Sequence, residues 1–80
     1  MVTPESIQLD IAKNMSTVHL TVTGDGQHFE AVVVSDEFNG KNRIQRQLLV
    51  YKTLGDRMTG EIHALSMKTF TPEEWEKNGK

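Results

Sequence analysis

Residues 61–75 read EIHALSMKTFTPEEW, and this stretch predicts a strand followed at once by a helix. Its first part, from about residue 62 to residue 70, is rich in apolar and β-favouring side chains. Residues 71–74 match the capping box S/T-x-x-E with proline at the first helical position, so a short final helix carrying Trp75 should follow. His63 lies at the start of the predicted strand, where its imidazole can stay open to a partner or a metal.

The segment before this strand predicts two helical elements. Residues 43–54 have the spacing of an amphipathic helix, and Gly55 ends it. Residues 56–59 predict one further short helical turn. The apolar positions expected to share one face of the longer helix are Ile44, Leu48 and Tyr51.

The N-terminal half predicts a helix and a β-hairpin. Residues 4–14 follow the N-cap candidate Thr3 and carry apolar side chains every four residues. Residues 17–23 alternate with a period of two, residues 24–27 form a turn, and residues 29–35 form a second, antiparallel strand. The positions expected to share the apolar face of the first strand are Val18, Leu20 and Val22.

These elements predict a single α+β domain over residues 1–80. Helices layered on one face of a three-stranded sheet are the natural way to bury the apolar faces of both kinds of element. The predicted order is helix, strand, strand, helix, short helix, strand, helix, or αββααβα.

Composition excludes several classes of protein. The 80 residues include no cysteine, so a disulfide framework, a zinc knuckle and a thiol nucleophile are ruled out. No apolar run approaches the roughly 20 residues of a membrane span, and residues 1–5 lack the features of a secretory signal, so we expect a cytoplasmic protein that does not enter a membrane. Ser35 and Ser66 lack a nucleophile-elbow or triad signature, so we do not expect an enzyme.

The three histidines differ as candidate ligands. His19 falls on the wet face of the first strand and is interpreted as a surface residue. His28 lies where the hairpin turn meets the second strand, and both His28 and His63 can be either ligands or structural hydrogen-bonding groups. Two histidines are too few for a closed zinc site even with Asp25, a weaker candidate, so we do not expect the chain to hold a metal alone.

Residues 38–55 contain four basic side chains and no acidic one, although the formal net charge of the chain is −2. The loop at residues 40–46 opens a helix, where backbone amides and basic side chains can hold a phosphate. A solvated helix face remains the alternative interpretation. The candidate nucleic-acid-binding residues are Lys41, Asn42, Arg43 and Arg46.

Four separated segments together resemble the BolA family, and the similarity covers nearly the whole chain. The segments are HFEAVVVS at residues 28–35, FNGKNRIQRQ at 38–47, VY at 50–51, and IHALSM at 62–67 with TPEEW at 71–75. The resemblance implies an αββααβα fold similar to class II KH domains, with a mixed sheet. It also implies DNA binding and transcription regulation through the loop at residues 40–43, which takes the place of the KH GxxG motif but has Arg43 instead of the second glycine.

The resemblance further implies a partner, a monothiol glutaredoxin with the CGFS motif. In such heterodimers a [2Fe-2S] cluster bridges the two proteins: glutaredoxin and glutathione provide thiolates, and the BolA-like chain provides the histidine that matches His63. A second ligand usually comes from the turn between the first two strands, where this chain offers His28 at the edge and Asp25 as a harder donor. The chain alone is expected to be a monomer without a cofactor.

Overall fold

The computed structural model describes residues 2–60, 62 and 64–79. The predicted αββααβα order is confirmed, with a 3₁₀ turn at Asp36–Phe38 and a π-helical segment at Trp75–Gly79 in addition. The elements are α1 (Pro4–Asn14), β1 (His19–Gly24), β2 (His28–Val34), α2 (Arg43–Leu54), α3 (Arg57–Gly60), β3 (Ala64–Phe70) and α4 (Pro72–Glu74).

The sheet has the order β1-β2-β3, so β2 is the central strand. β1 pairs with β2 antiparallel, and β2 pairs with β3 parallel, which confirms the mixed sheet. The parallel pair needs a crossover, and α2 and α3 provide it.

One face of the sheet carries the main core, and α1 and α2 pack on it. Alternate strand residues turn to this face because successive side chains of a strand point to opposite sides. α1 contributes Ile7 and Ile11, both with no exposed surface, and α2 contributes Val50 and Leu54. The strand residues buried with them are Val22, Phe29, Ala31, Val33 and Met67.

The predicted apolar face of α2 is wrong for two of its three residues. Ile44 and Leu48 are 68% and 60% exposed. The buried face is rotated and runs through Arg46, Val50 and Leu54, which recur every four residues. The buried face of α2 therefore includes a basic residue, Arg46, and leaves out two of the apolar residues that were predicted for it.

The ends of two strands also differ from the predictions. β1 begins at His19, and Val18 before it is 65% exposed instead of facing the core. β3 is described from Ala64. Ile62 is buried, but its N–H donates to the carbonyl of Arg57 at 2.8 Å, so it closes α3 instead of pairing in the sheet.

The C-terminal segment covers one end of the opposite face of the sheet. His19, Val34 and Phe70 form a row across the three strands on that face. Trp75 stacks on His19 with ring centroids 4.6 Å apart and contacts Phe70 at 5.5 Å. His19 is consequently half-buried, and the interpretation of it as a simple surface residue is incomplete.

Candidate functional site

The β1–β2 turn is fixed by the carboxylate of Asp25. Its Oδ1 accepts hydrogen bonds from the backbone N–H groups of Gln27 and His28, each at 2.9 Å. These backbone donors lower the pKa of Asp25 below its ordinary value because they stabilise the charged carboxylate. Asp25 therefore acts in the structure as a turn residue, and one of its oxygens is already occupied.

His28 begins β2 on the face opposite α1 and α2, and its side chain is exposed. In the parallel ladder its partner is Ala64, the first described residue of β3. Ala64 follows His63 in the chain, and His63 itself lies outside the described residues. Sequence spacing alone did not show whether the segment at His28 lies near the segment at residues 62–70. The β2–β3 register shows that His28 pairs with Ala64, at the start of β3.

Within residues 2–60, 62 and 64–79, no group of three or more His, Asp or Glu side chains is close enough to hold a metal ion. Of the described candidates, His28 offers a free imidazole nitrogen and Asp25 a partly used carboxylate. Among the described residues this donor set does not make up a closed metal site, which needs four ligands.

The four candidate nucleic-acid residues lie together along the outer edge of β3. They form one wall of a cleft of ≈ 410 Å³, and β3 forms the other. The wall residues are Lys41, Asn42, Arg43 and Arg46 on one side, and Met67, Lys68, Thr69 and Phe70 on the other.

Arg46 is held inside the protein by a network of contacts. Its guanidinium forms a two-pronged ion pair with Glu74, at 2.7 and 3.2 Å. Its Nε donates to the carbonyl of Lys41 at 2.9 Å, and its Nη1 reaches the carbonyl of Thr69 at 3.4 Å. The side chain is only 14% exposed, and it also lies over the ring of Phe38. Its position suits support of the loop more than direct contact with a phosphate.

Glu74 is the partner that sequence reasoning missed. The capping box was identified correctly, because the Thr71 N–H donates to Glu74 Oε1 at 2.9 Å. The same carboxylate also binds Arg46, and this hydrogen-bonded ion pair lowers the pKa of Glu74 to about 2. Since 28 residues separate the partners, no local pattern could have indicated the pair.

Asn42 is also used locally, whereas Lys41 and Arg43 are exposed. The Asn42 side chain caps α2 by accepting from the Gln45 N–H at 2.9 Å. In the part of the chain that the structure describes, the side chains of Lys41 and Arg43 have no hydrogen-bond or ion-pair partner. Lys68, a residue that the sequence did not single out, adds a third exposed cation beside them.

A second cleft, of ≈ 430 Å³, lies on the open face of the sheet between the His28 end and the Trp75 end. Its lining is mainly hydroxyl and charged residues, Thr21, Thr23, Glu30, Arg43, Ser66 and Lys68, with the apolar residues Ala31, Val32 and Met67. Arg43 and Lys68 line both clefts, so they connect the outer edge of β3 with this face. None of the described helices is long and apolar enough to cross a membrane.

Comparisons with known proteins agree with this fold. The family model described as BolA-like protein matches residues 2–74. The acid stress protein IbaG of Escherichia coli K12 is 36% identical over 75 residues, covering 92% of this chain and 89% of IbaG. The DNA-binding transcriptional regulator BolA of Vibrio cholerae is 39% identical over 64 residues, covering 80% of this chain and 60% of that protein.

A solved structure of a BolA homologue has a similar fold. The structure of a BolA homologue from Coxiella burnetii superposes with a TM-score of 0.82 at 44% identity and covers 95% of this chain and 99% of that one. The chain spans only 53% to 61% of several longer relatives that it also matches. The fold, the matched residues and the identities together show that this chain belongs to the BolA family.

Proposed function

We propose that the protein is an adaptor that binds a monothiol (CGFS) glutaredoxin and shares a [2Fe-2S] cluster with it. The observation that carries the proposal is the β2–β3 register, which pairs His28 with the residue that follows His63. An exposed imidazole therefore begins β2, and the neighbouring strand β3 is described from the residue that follows His63 in the sequence. In this proposal the chain alone is a monomer, and the cluster is held only in the complex with glutaredoxin.

In this proposal the chain contributes nitrogen ligands and the partner contributes sulfur. The protein contains no cysteine, so thiolates would come from glutaredoxin and glutathione. His63 would be the principal ligand, and His28 would be a second ligand or a hydrogen-bonding neighbour. Replacing thiolate by imidazole removes negative charge and raises the reduction potential of a cluster, which suits transfer or sensing. Asp25 would position His28 by fixing the turn before it.

The test is visible absorption and circular dichroism of a cluster-loaded glutaredoxin mixed with this protein. The His63→Ala variant should change the cluster spectrum of the mixture strongly, and His28→Ala should change it less. His19→Ala is the matched control, because His19 lies on the same face of the sheet but stacks on Trp75 at the far end. Its mixture should keep the wild-type spectrum, provided that far-ultraviolet circular dichroism shows a folded variant.

Size-exclusion chromatography of the same mixtures separates partner binding from cluster ligation. A heterodimer whose cluster spectrum is the same for wild type, His63→Ala and His28→Ala would contradict the ligand assignment and leave an adaptor that binds glutaredoxin without touching the cluster. Absence of a heterodimer with both cluster-loaded and cluster-free glutaredoxin would contradict the adaptor function itself.

DNA binding is the second candidate function, and the basic cleft beside β3 favours it. Relatives in the same family are named DNA-binding transcriptional regulators. In this chain Lys41 and Arg43 would contact phosphates, Asn42 would cap the helix behind them, and Arg46 would hold the loop in place. The proposal predicts weak binding that depends strongly on salt.

The measurement is the affinity for a DNA duplex as a function of salt. Each phosphate neutralised contributes about 0.9 to the slope of log affinity against log salt, so Arg43→Ala should lower the slope by about one. Lys13→Ala, which removes an exposed cation of α1, is the control and should leave the slope unchanged. No binding at low salt, or a slope that Arg43→Ala does not alter, would exclude this function.

A further inference from the structure

The outer edge of β3 presents backbone groups that the sheet does not use. The carbonyl of Phe70 accepts from the Ser35 N–H on the β2 side, at 3.0 Å. The carbonyl of Thr69 instead meets Arg46 on the outer side. Because the backbone groups of successive strand residues point to opposite sides, Leu65, Met67 and Thr69 all direct their N–H and C=O groups outward. Within the described strand Ala64–Phe70, only the Thr69 carbonyl has a partner on that side.

The two outer strands of the sheet, β1 and β3, have different neighbours. At the β1 edge, the outward N–H of Val22 donates to the side-chain oxygen of Gln8 at 3.3 Å, so α1 contacts that edge at this position. The β3 edge faces the ≈ 410 Å³ cleft, with residues 67–70 on one side and the start of α2 on the other. Met67 and Thr69, whose N–H groups point outward, are among the residues that line this cleft.

The charged side chains that line this cleft are all basic. Its lining residues include Lys41, Arg43, Arg46 and Lys68 and no acidic side chain. Glu74 neutralises Arg46, which leaves three exposed cations beside the free edge. The positive end of the α2 dipole adds to the same field.

We propose that the β3 edge binds an acidic segment of a partner protein in extended conformation, as a fourth strand of the sheet. The unpaired N–H and C=O groups recur every second residue, which is the spacing that an added strand matches. Lys41, Arg43 and Lys68 lie beside the path of such a segment, so carboxylate side chains are favoured in it. This binding is independent of cluster ligation and needs neither His28 nor His63.

A peptide fits the edge better than a nucleic acid does. Bases of single strands are usually held by stacking on aromatic rings. The one aromatic residue of the cleft lining, Phe70, packs against Trp75 at 5.5 Å. One of the cations that line the cleft, Arg46, is already paired with Glu74. Backbone hydrogen bonding with charge complementarity is what the described edge offers.

The test uses the full chain and a fluorescent eight-residue peptide of alternating valine and glutamate. Addition of the peptide should shift the amide signals of Met67 and Thr69 in a ¹⁵N–¹H correlation spectrum. A peptide with two alternate backbone amides methylated should bind on the order of 10-fold more weakly or worse, since its charge is unchanged but its edge hydrogen bonds are lost. A peptide with lysine in place of glutamate should not bind measurably.

Two protein variants extend the test. Thr69→Pro removes an outward N–H at a position where an edge strand can accept proline, and it should weaken binding of the unmethylated peptide. Lys68→Ala should weaken it several-fold. If Thr69→Pro does not fold, binding of the methylated peptide to the wild-type chain still tests whether the edge hydrogen bonds are needed. Equal affinity for both forms of the peptide, or Met67 and Thr69 shifts produced by a DNA oligonucleotide and not by the peptide, would overturn the proposal.

Discussion

The ion pair between Arg46 and Glu74 should connect the C-terminal segment to α2 and make the stability of the protein depend on acid. Two nitrogens of the guanidinium contact both carboxylate oxygens, at 2.7 and 3.2 Å. The same carboxylate caps α4 through the N–H of Thr71. The perturbations are Arg46→Ala, Glu74→Gln and the double variant, which together form a double-mutant cycle.

The expected coupling energy follows from the exposure of the two side chains, 14% for Arg46 and 43% for Glu74. Exposed pairs contribute about 0–1 kcal/mol, whereas removal of one partner of a buried pair costs about 3–5 kcal/mol. A fall in the pKa of Glu74 from 4.5 to about 2 would alone correspond to about 3 kcal/mol. We halve that figure because the carboxylate is partly solvated, and we expect a coupling of about 1.5 kcal/mol at neutral pH.

The dependence on pH has a definite sign. The pKa of Glu74 is lower in the folded protein than its ordinary value of 4.5. Its contribution is therefore complete above about pH 4.5, decreases as the pH falls, and is lost as the pH approaches about 2. The Glu74→Gln variant should lack this component, so the difference in stability from the wild type should shrink over the same range.

The assay is urea denaturation at about pH 7 and about pH 2.5, followed by far-ultraviolet circular dichroism and by the fluorescence of Trp75, the only tryptophan. Trp75 adjoins Glu74 and reports on the C-terminal segment, so in Arg46→Ala its transition should precede the one seen by circular dichroism. The exposed pair Lys77 and Glu73, four residues apart, is the control, with an expected coupling of about 0.3 kcal/mol. An Arg46–Glu74 coupling no larger than the control, or one that is the same at both pH values, would refute the reasoning.

Three further changes test the packing. Gly24→Ala should destabilise the protein by about 2 kcal/mol in denaturant titration, because the added Cβ would lie 2.5 Å from Phe29 Cδ1 and 2.6 Å from a backbone oxygen; a neutral effect would show that the turn can move. Val50→Ala should cost about 2 kcal/mol and Leu48→Ala less than about 0.5 kcal/mol, and the reverse order would contradict the rotated face of α2. Ser35→Ala should cost about 1–2 kcal/mol, since its buried hydroxyl donates to the Ser16 carbonyl and accepts from the N–H of Glu37; an unchanged melting temperature would mean that neither bond matters.

Local signals predicted the elements well because their causes are local. The predicted N-cap Thr3 and the predicted capping box at Thr71 each join residues three positions apart, whereas the similar box at Asn42 was not predicted. The alternation in the first strand and the four-residue spacing of Ile7 and Ile11 are likewise properties of short segments. Errors arose where packing against a distant element chose the buried face, as in α2, where Ile44 and Leu48 are exposed.

The sequence identified most of the candidate site residues, but it did not show how they are arranged in space. Lys41, Arg43 and Lys68 meet along one cleft only because α2 packs beside the edge of β3. The sequence indicated Arg46 as a phosphate ligand, but in the structure its guanidinium is paired with Glu74, which lies 28 residues away in the chain. His63 stays a prediction, because it lies outside the described residues.

By itself the sequence determined the order of the elements, the helix caps at Thr3 and Thr71, the lack of thiol chemistry and, through its four motifs, the family. The tertiary structure decided which strands are neighbours, and hence that His28 pairs with Ala64 and that the outer edge of β3 stays open. It also decided which cations face solvent and which are neutralised inside. The physical reason is that strand pairing and long-range ion pairs depend on how whole elements pack, and a period of two or of 3.6 residues does not record that packing.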